Sequence, residues 1–174
     1  MENRKKVPYE VFPLVSFRKT KGVIFDSVPI EIFPKIDAID RVIHQGGAVS
    51  PGPVGVIERP WYMHYHQDDH LFVLSGAREV ELYWPDYRRV DKFCVYPERV
   101  EKNGDLYFDG PSILAWRKGV FHRIESDPVK GSASVNIAIR YSGFDIKTNF
   151  NIYQLNIEKG DHSLLRAGYL DQKT

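Results

Sequence analysis

Cysteine is almost absent from this sequence: Cys94 is the single thiol among 174 residues. That excludes an internal disulfide and a cysteine-rich zinc site, and Cys94 has no charged neighbours that would mark a low-pKa thiol. Long apolar runs are missing as well. None approaches the roughly 18 residues of a membrane-spanning helix, and no apolar stretch of secretory length follows the charged start, Met1 to Lys6. The expectation is a cytoplasmic protein with no membrane partner. There is no excess of either charge: 24 Lys and Arg face 23 Asp and Glu, a net charge of +1. That balance offers no electrostatic case for nucleic acid. Internal repeats, low-complexity tracts and linkers are also lacking, so the chain reads as a single domain around one core.

Aromatic residues, in contrast, make up 13% of the chain, which suits a β-rich protein because rings pack well on a pleated surface. Short candidate strands alternate with turn residues. They run over Tyr9–Val15, Val23–Val28, Val54–Ile57, Trp61–His66, Leu71–Ser75 and Arg78–Trp84, then Phe93–Tyr96, Ser112–Trp116, His122–Ser126 and Ser132–Tyr141. Ser50-Pro51-Gly52-Pro53, Asn103-Gly104 and Asp109-Gly110-Pro111 punctuate them. This spacing argues for an all-β sandwich or barrel. One stretch, Pro34 to His44, places Ile36, Ile39, Val42 and Ile43 at helical spacing and predicts a short amphipathic helix.

Three of the six histidines fall close together in His64-Tyr65-His66-Gln67-Asp68-Asp69-His70. On an extended strand His64 and His66 share one face with Tyr62. Gln67-Asp68-Asp69 is turn-prone, so His70 enters the next strand pointing into the same space, and His122 opens a later strand. An isolated His-x-His in a strand reads as a solvated face. Three clustered histidines within an apolar sequence read as a metal site, because imidazole is a common ligand of divalent transition metals. Phe72 and Leu74 share parity with His70 and are expected to wall the cavity. Trp116 is expected at its rim; Arg140 is a candidate for binding an anionic substrate group if the polar face of its strand turns inward, and reads first as part of a solvated edge. His44 and His162 lie outside the cluster and are expected at the surface.

Met63 to Gly76 (MHYHQDDHLFVLSG) resembles the first motif of the cupin superfamily, and Gly110 to His122 (GPSILAWRKGVFH) resembles the second. The resemblance implies a cupin-type double-stranded β-helix, or jelly-roll, barrel over residues 51–145. Residues 1–50 would form an N-terminal arm packed on it, and residues 146–174 a C-terminal extension. It also implies one divalent transition metal ion, Fe or Mn ahead of Zn or Ni, held by His64, His66, His70 and His122. The sequence departs from the pattern at the motif-one Glu. A three-residue gap from His66 places His70 there, whereas counting back from Gly76 places Asp69 there. The Pro of the second turn is replaced by Arg117.

The activity implied is that of a metal-dependent, dioxygenase-like oxidoreductase acting on a small organic molecule, in a homodimer. The alternatives are a metal-free sugar-nucleotide epimerase or isomerase, in which a cavity His acts as base and a Tyr as acid, and a barrel that binds a small molecule without catalysis.

Overall fold

The computed structural model describes residues 7–172, and the charged start, Met1 to Lys6, lies outside them. Strands β1 (Tyr9–Pro13), β2 (Val15–Thr20), β3 (Val23–Ser27), β4 (Ala38–His44) and β5 (Val49–Ser50) come first. They are followed by β6 (Trp61–Met63), β7 (Gln67–Gly76), β8 (Arg78–Trp84), β9 (Arg89–Val95), β10 (Arg99–Lys102) and β11 (Asp105–Asp109). Next come β12 (Ser112–Trp116), β13 (Phe121–Ser126), β14 (Ser132–Arg140), the one-turn helix α1 (Ile146–Asn149), β15 (Ile152–Leu155) and β16 (His162–Arg166).

Two antiparallel sheets face one another as a jelly-roll barrel. The smaller has the order β1-β12-β7-β14-β4, and the larger runs β11-β10-β9-β8-β13-β6-β15-β16 with β5 beside β13. Strands β2 and β3 form a separate hairpin. Among the described residues no helix is long and apolar enough to cross a membrane.

Residues directly opposite in an antiparallel ladder share a face. On β7 and β14, Gln67 lies opposite Arg140, Asp69 opposite Ala138 and Leu71 opposite Asn136. On β13 and β8, His122 lies opposite Leu82, Ile124 opposite Val80 and Ser126 opposite Arg78. These are the residues that point between the sheets. Part of the interior is filled by Leu71, Val73, Val80, Leu82, Phe93, Val95, Val100 and Leu114, all buried. The outer face of the smaller sheet is covered too: Phe33 packs with Ile113, Ile137 and Ile139, with Phe12, Val28, Ile32 and Phe72 against them. β7 is therefore clad on both faces.

The helix expected over Pro34 to His44 is corrected: Ala38–His44 is strand β4, paired residue by residue with Ser132–Ala138 of β14. The isoleucines that set the helical spacing do not line one buried stripe, for Ile39 and Ile43 are 65% and 52% exposed. Edge pairing with a long strand outweighs a short apolar periodicity.

Gly131, at the entrance to β14, has a φ of 65°. A Cβ there would lie 2.2 Å from the His44 carbonyl oxygen, where backbone cannot give way. Gly22, at the β2–β3 turn, has a φ of 74° but nothing within 4 Å of such a Cβ. Gly22→Ala should cost only about 1–2 kcal/mol for the left-handed backbone. Gly131→Ala should add about 1–3 kcal/mol of overpacking to that. Urea midpoints of the two variants against the parent measure the difference.

Candidate functional site

β6 ends at Met63, and the chain bends through His64, Tyr65 and His66 before β7 begins at Gln67. The period-2 rule therefore does not extend to His-x-His, and its two histidines part company. The His64 carbonyl accepts from the Gly119 amide at 2.8 Å, tying this bend to the turn that precedes β13. Its imidazole enters the interior, where Nδ1 donates to the Asn149 carbonyl at the end of α1. A carbonyl only accepts, so this bond places a proton on Nδ1 and turns Nε2 toward the cavity. The Phe150 ring stands edge-on to His64 at 5.4 Å, and the His122 ring lies 4.8 Å away.

Asp69, projecting inward from β7, brings Oδ2 to 3.3 Å from His64 Nε2. Its other oxygen accepts from Gln67 Nε2 at 2.8 Å. Oδ2 is buried and has no fully aligned hydrogen bond among the described residues. Burial pushes the Asp69 carboxyl above the ordinary carboxylate range, against the opposing pull of His64 and the Gln67 hydrogen bond. His122, its Nδ1 3.3 Å from the Val120 carbonyl, is held well below the usual imidazole range, by burial first and by His64 second. Tyr62, opposite His122 across the β13–β6 ladder, has its phenol pushed up by burial and so keeps its proton at neutral pH. Gln67 Oε1 accepts from Arg140 Nε and Asn149 Nδ2, each at 3.2 Å, which completes a chain of contacts from Arg140 to His64.

These groups line a cavity of about 270 Å³ between the sheets, together with Trp116, Ile124, Asn136 and, from the edge strand β4, Asp40 and His44. A larger groove of about 1120 Å³ follows β1 and takes in His70 and Trp116, but it holds none of His64, Asp69 and His122. The buried titratable groups identify the smaller cavity as the site.

Of the residues singled out in the sequence, His64, His122, Asp69, Tyr62, Trp116 and Arg140 meet in this cavity. Four placements are corrected. His66 lies against Gly143, where an added Cβ would come within 2.9 Å of its ring. His70 points out of the opposite face of β7, donating Nδ1 to the Ile137 carbonyl at 3.2 Å and packing edge-on to Phe33 at 4.9 Å. Phe72 follows His70 into that outer cluster, and Leu74 is 51% exposed. The expected surface position of His44 is corrected too: its Nδ1 meets Ser126 Oγ at 2.9 Å and its ring lines the cavity. Gln67, Asn149 and Arg78 were not singled out, and His44 was assigned to the surface. Inward parity counted from Asp69 would have found Gln67; no local signal marks the others.

The four-histidine metal set is thus not assembled. What the interior gathers is His64, His122 and Asp69, with ligand-type atoms within 4.8 Å of one another. Two imidazoles and one carboxylate are ligands of metal-binding type, but they are not the four-histidine set that the motif resemblance implies.

No protein-family model matches the chain, and no curated protein matches it. Solved structures do. QdtA, a sugar 3,4-ketoisomerase from Thermoanaerobacterium thermosaccharolyticum in complex with TDP, is 13% identical with a TM-score of 0.53 over 79% of this chain and 83% of that one. The WlaRB TDP-quinovose 3,4-ketoisomerase from Campylobacter jejuni is 14% identical with a TM-score of 0.55, covering 82% and 90%. A dTDP sugar isomerase from Desulfovibrio desulfuricans G20 is 12% identical with a TM-score of 0.55, covering 75% of each chain. The expectation of a metal-dependent, dioxygenase-like oxidoreductase with bound Fe, Mn, Zn or Ni is corrected, both by these neighbours and by the unassembled histidines. What the likenesses show is the fold: the chain is a cupin-type jelly-roll barrel, the architecture on which these sugar isomerases are built.

Proposed function

We propose that the protein is a sugar-nucleotide isomerase that moves a carbonyl along a keto sugar by proton transfer. The observation that carries this reading is the buried pair in which Asp69 Oδ2 faces His64 Nε2 at 3.3 Å inside the cavity. Shifting a ketone to the neighbouring carbon requires three things. A proton leaves the carbinol carbon, the carbonyl oxygen takes one up to give an enediol, and the reverse occurs one carbon along. Atoms balance without an external oxidant.

A carboxyl whose protonated form burial favours, beside an imidazole with Nε2 turned to the cavity, supplies one acid and one base at adjacent positions. His64 Nε2 takes the carbon-bound proton and returns it, Asp69 exchanges protons with the oxygens, and the Tyr62 phenol donates to the same oxygens. Trp116 and Phe150 exclude water, and Arg140, at the Gln67 end, meets negative charge on the substrate. The solved structures that share the fold support the choice of substrate, since one is a TDP-quinovose 3,4-ketoisomerase and another a sugar 3,4-ketoisomerase in complex with TDP. The cavity is somewhat below the usual range of about 300–1,000 Å³ for ligand sites, so the sugar enters it and the nucleotide stays outside.

A second copy of the chain is part of the proposal. The β2–β3 hairpin leaves Phe17 and Ile24 65% and 59% exposed, and a lone two-stranded hairpin is at best marginally stable in water. Light scattering should give a dimer mass, and Phe17→Ser with Ile24→Ser should shift it toward monomer.

Exchange decides the chemistry. Incubated in D₂O with a panel of 3- and 4-keto sugar nucleotides, the protein should place solvent deuterium on the carbon next to the carbonyl, read by NMR. His64→Asn and Asp69→Asn should each lower the exchange rate by about 10²–10⁴. Binding without exchange would leave a non-catalytic barrel, and exchange abolished by a chelator and restored by a divalent ion would overturn the proton-transfer pair.

The pH dependence has a sign. The folded-state pKa of Asp69 is raised, so its contribution to stability is complete below the unfolded value of about 3.9 and is lost as pH rises through the folded value. The rate should fall over the same alkaline limb as the carboxyl ionises. Asp69→Asn should flatten the loss in urea midpoint, measured across pH 4 to 9.

A further inference from the structure

Arg78 is fully buried. It projects inward from β8 and lines the same cavity as His64, on the far side of it. Its Nε donates to Ser132 Oγ at 2.9 Å and its Nη2 to the Val42 carbonyl at 3.2 Å. A guanidinium has five N–H donors, so three remain without a protein acceptor among the described residues. Nor does any described carboxylate pair with it: the ion pairs of the chain involve other cations. The adjacent imidazole of His44 is held down to about 4, by burial and then by the Arg78 charge, and so contributes no second charge. A desolvated cation with neither counter-ion nor full hydrogen bonding is a costly arrangement. An anion entering the cavity resolves it.

We infer that Arg78 is an anion-recognition residue at the floor of the cavity and that the sugar entering it bears a carboxylate. The anion follows from Arg78 itself, and only the word sugar rests on the isomerase reading above. One guanidinium with a free fork matches a singly charged planar group, whereas a phosphate dianion would call for further donors. The spacing agrees. Ser126, opposite Arg78, is four residues beyond His122 on β13, about 13 Å at about 3.3 Å per residue. His122 and Arg78, at the two ends of that span, line the one cavity, so a sugar ring lying between them would set its carboxylate on Arg78 and turn its carbonyl toward His64.

Calorimetric titration of the full chain tests this with two matched pairs: UDP-glucuronate against UDP-glucose, and free glucuronate against its methyl ester. In each pair the acid should bind at least about tenfold more tightly than its neutral partner, the usual scale for a charge-assisted hydrogen bond. In Arg78→Met that advantage should fall below about threefold, with the circular-dichroism spectrum unchanged. A merely structural cross-link from Arg78 to Ser132 and Val42 would make neither ligand preferred. Equal binding of acid and neutral partner, a preference that survives in Arg78→Met, or no binding of any of the four would overturn the inference. If Arg78→Met does not fold, Arg140→Met separates the two guanidiniums that line the cavity: the preference for the acid should survive in it, and its loss there would overturn the inference. Carboxylate-selective binding without deuterium exchange in any keto sugar would remove the isomerase reading and leave Arg78 standing. Exchange without carboxylate preference would do the reverse.

Discussion

Asn149 holds the site in register. Its carbonyl fixes the tautomer of His64 and its side-chain amide donates to Gln67, which in turn holds Asp69 and accepts from Arg140. Without that one-turn helix, the imidazole would be free to rotate and Nε2 would have no defined direction. α1 is itself set by Asp145, whose Oδ1 accepts from the Lys147 amide at 2.9 Å. A short capped turn at the end of β14 thus governs the geometry of groups that lie more than 80 residues earlier in the chain.

The barrel interior is divided between two kinds of contact. Leu71, Val73, Val80 and Phe93 make a dry core that contributes about 1.5–3 kcal/mol for each fully buried large side chain. The remainder is polar and incompletely satisfied: among the described residues Trp116 Nε1 has no hydrogen-bond partner, Asp69 Oδ2 has only its 3.3 Å contact with His64, and Arg78 makes two hydrogen bonds. Each such group works against stability by about 1–3 kcal/mol, and the apolar half offsets it. Such a concentration of unmet polar capacity in one cavity is what a ligand site requires.

β7 separates two environments. Its odd-numbered residues Gln67, Asp69 and Leu71 point inward, while His70 and Phe72 pack outward under Phe33. Burial lowers the pKa of His70, which lines the groove along β1 and not the interior cavity. Two neighbouring residues, Asp69 and His70, therefore belong to different parts of the structure: one lines the cavity, the other packs under Phe33.

Much of the architecture was legible from local chemistry. Gly-Pro punctuation and β-branched runs predict an all-β chain, and the boundaries of β8 and β12 follow from them directly. His64, His122 and Tyr62 were found because the residues themselves are chemically conspicuous. The face of β7 was not legible. A strand covered on both sides is apolar at Leu71, Phe72 and Val73 alike, so no alternation reveals which parity points inward. Gln67-Asp68-Asp69 reads as a turn, yet it is the polar start of that strand, and His64-Tyr65-His66 reads as a strand, yet it is a bend. The partners that define the site come from far along the chain, Asn149 to His64 over 85 residues and Ser132 to Arg78 over 54. The sequence by itself determined which side chains could do chemistry; the pairing of sheets decided which of them meet, because strand register and long-range hydrogen bonds are set by the whole fold rather than by any local window.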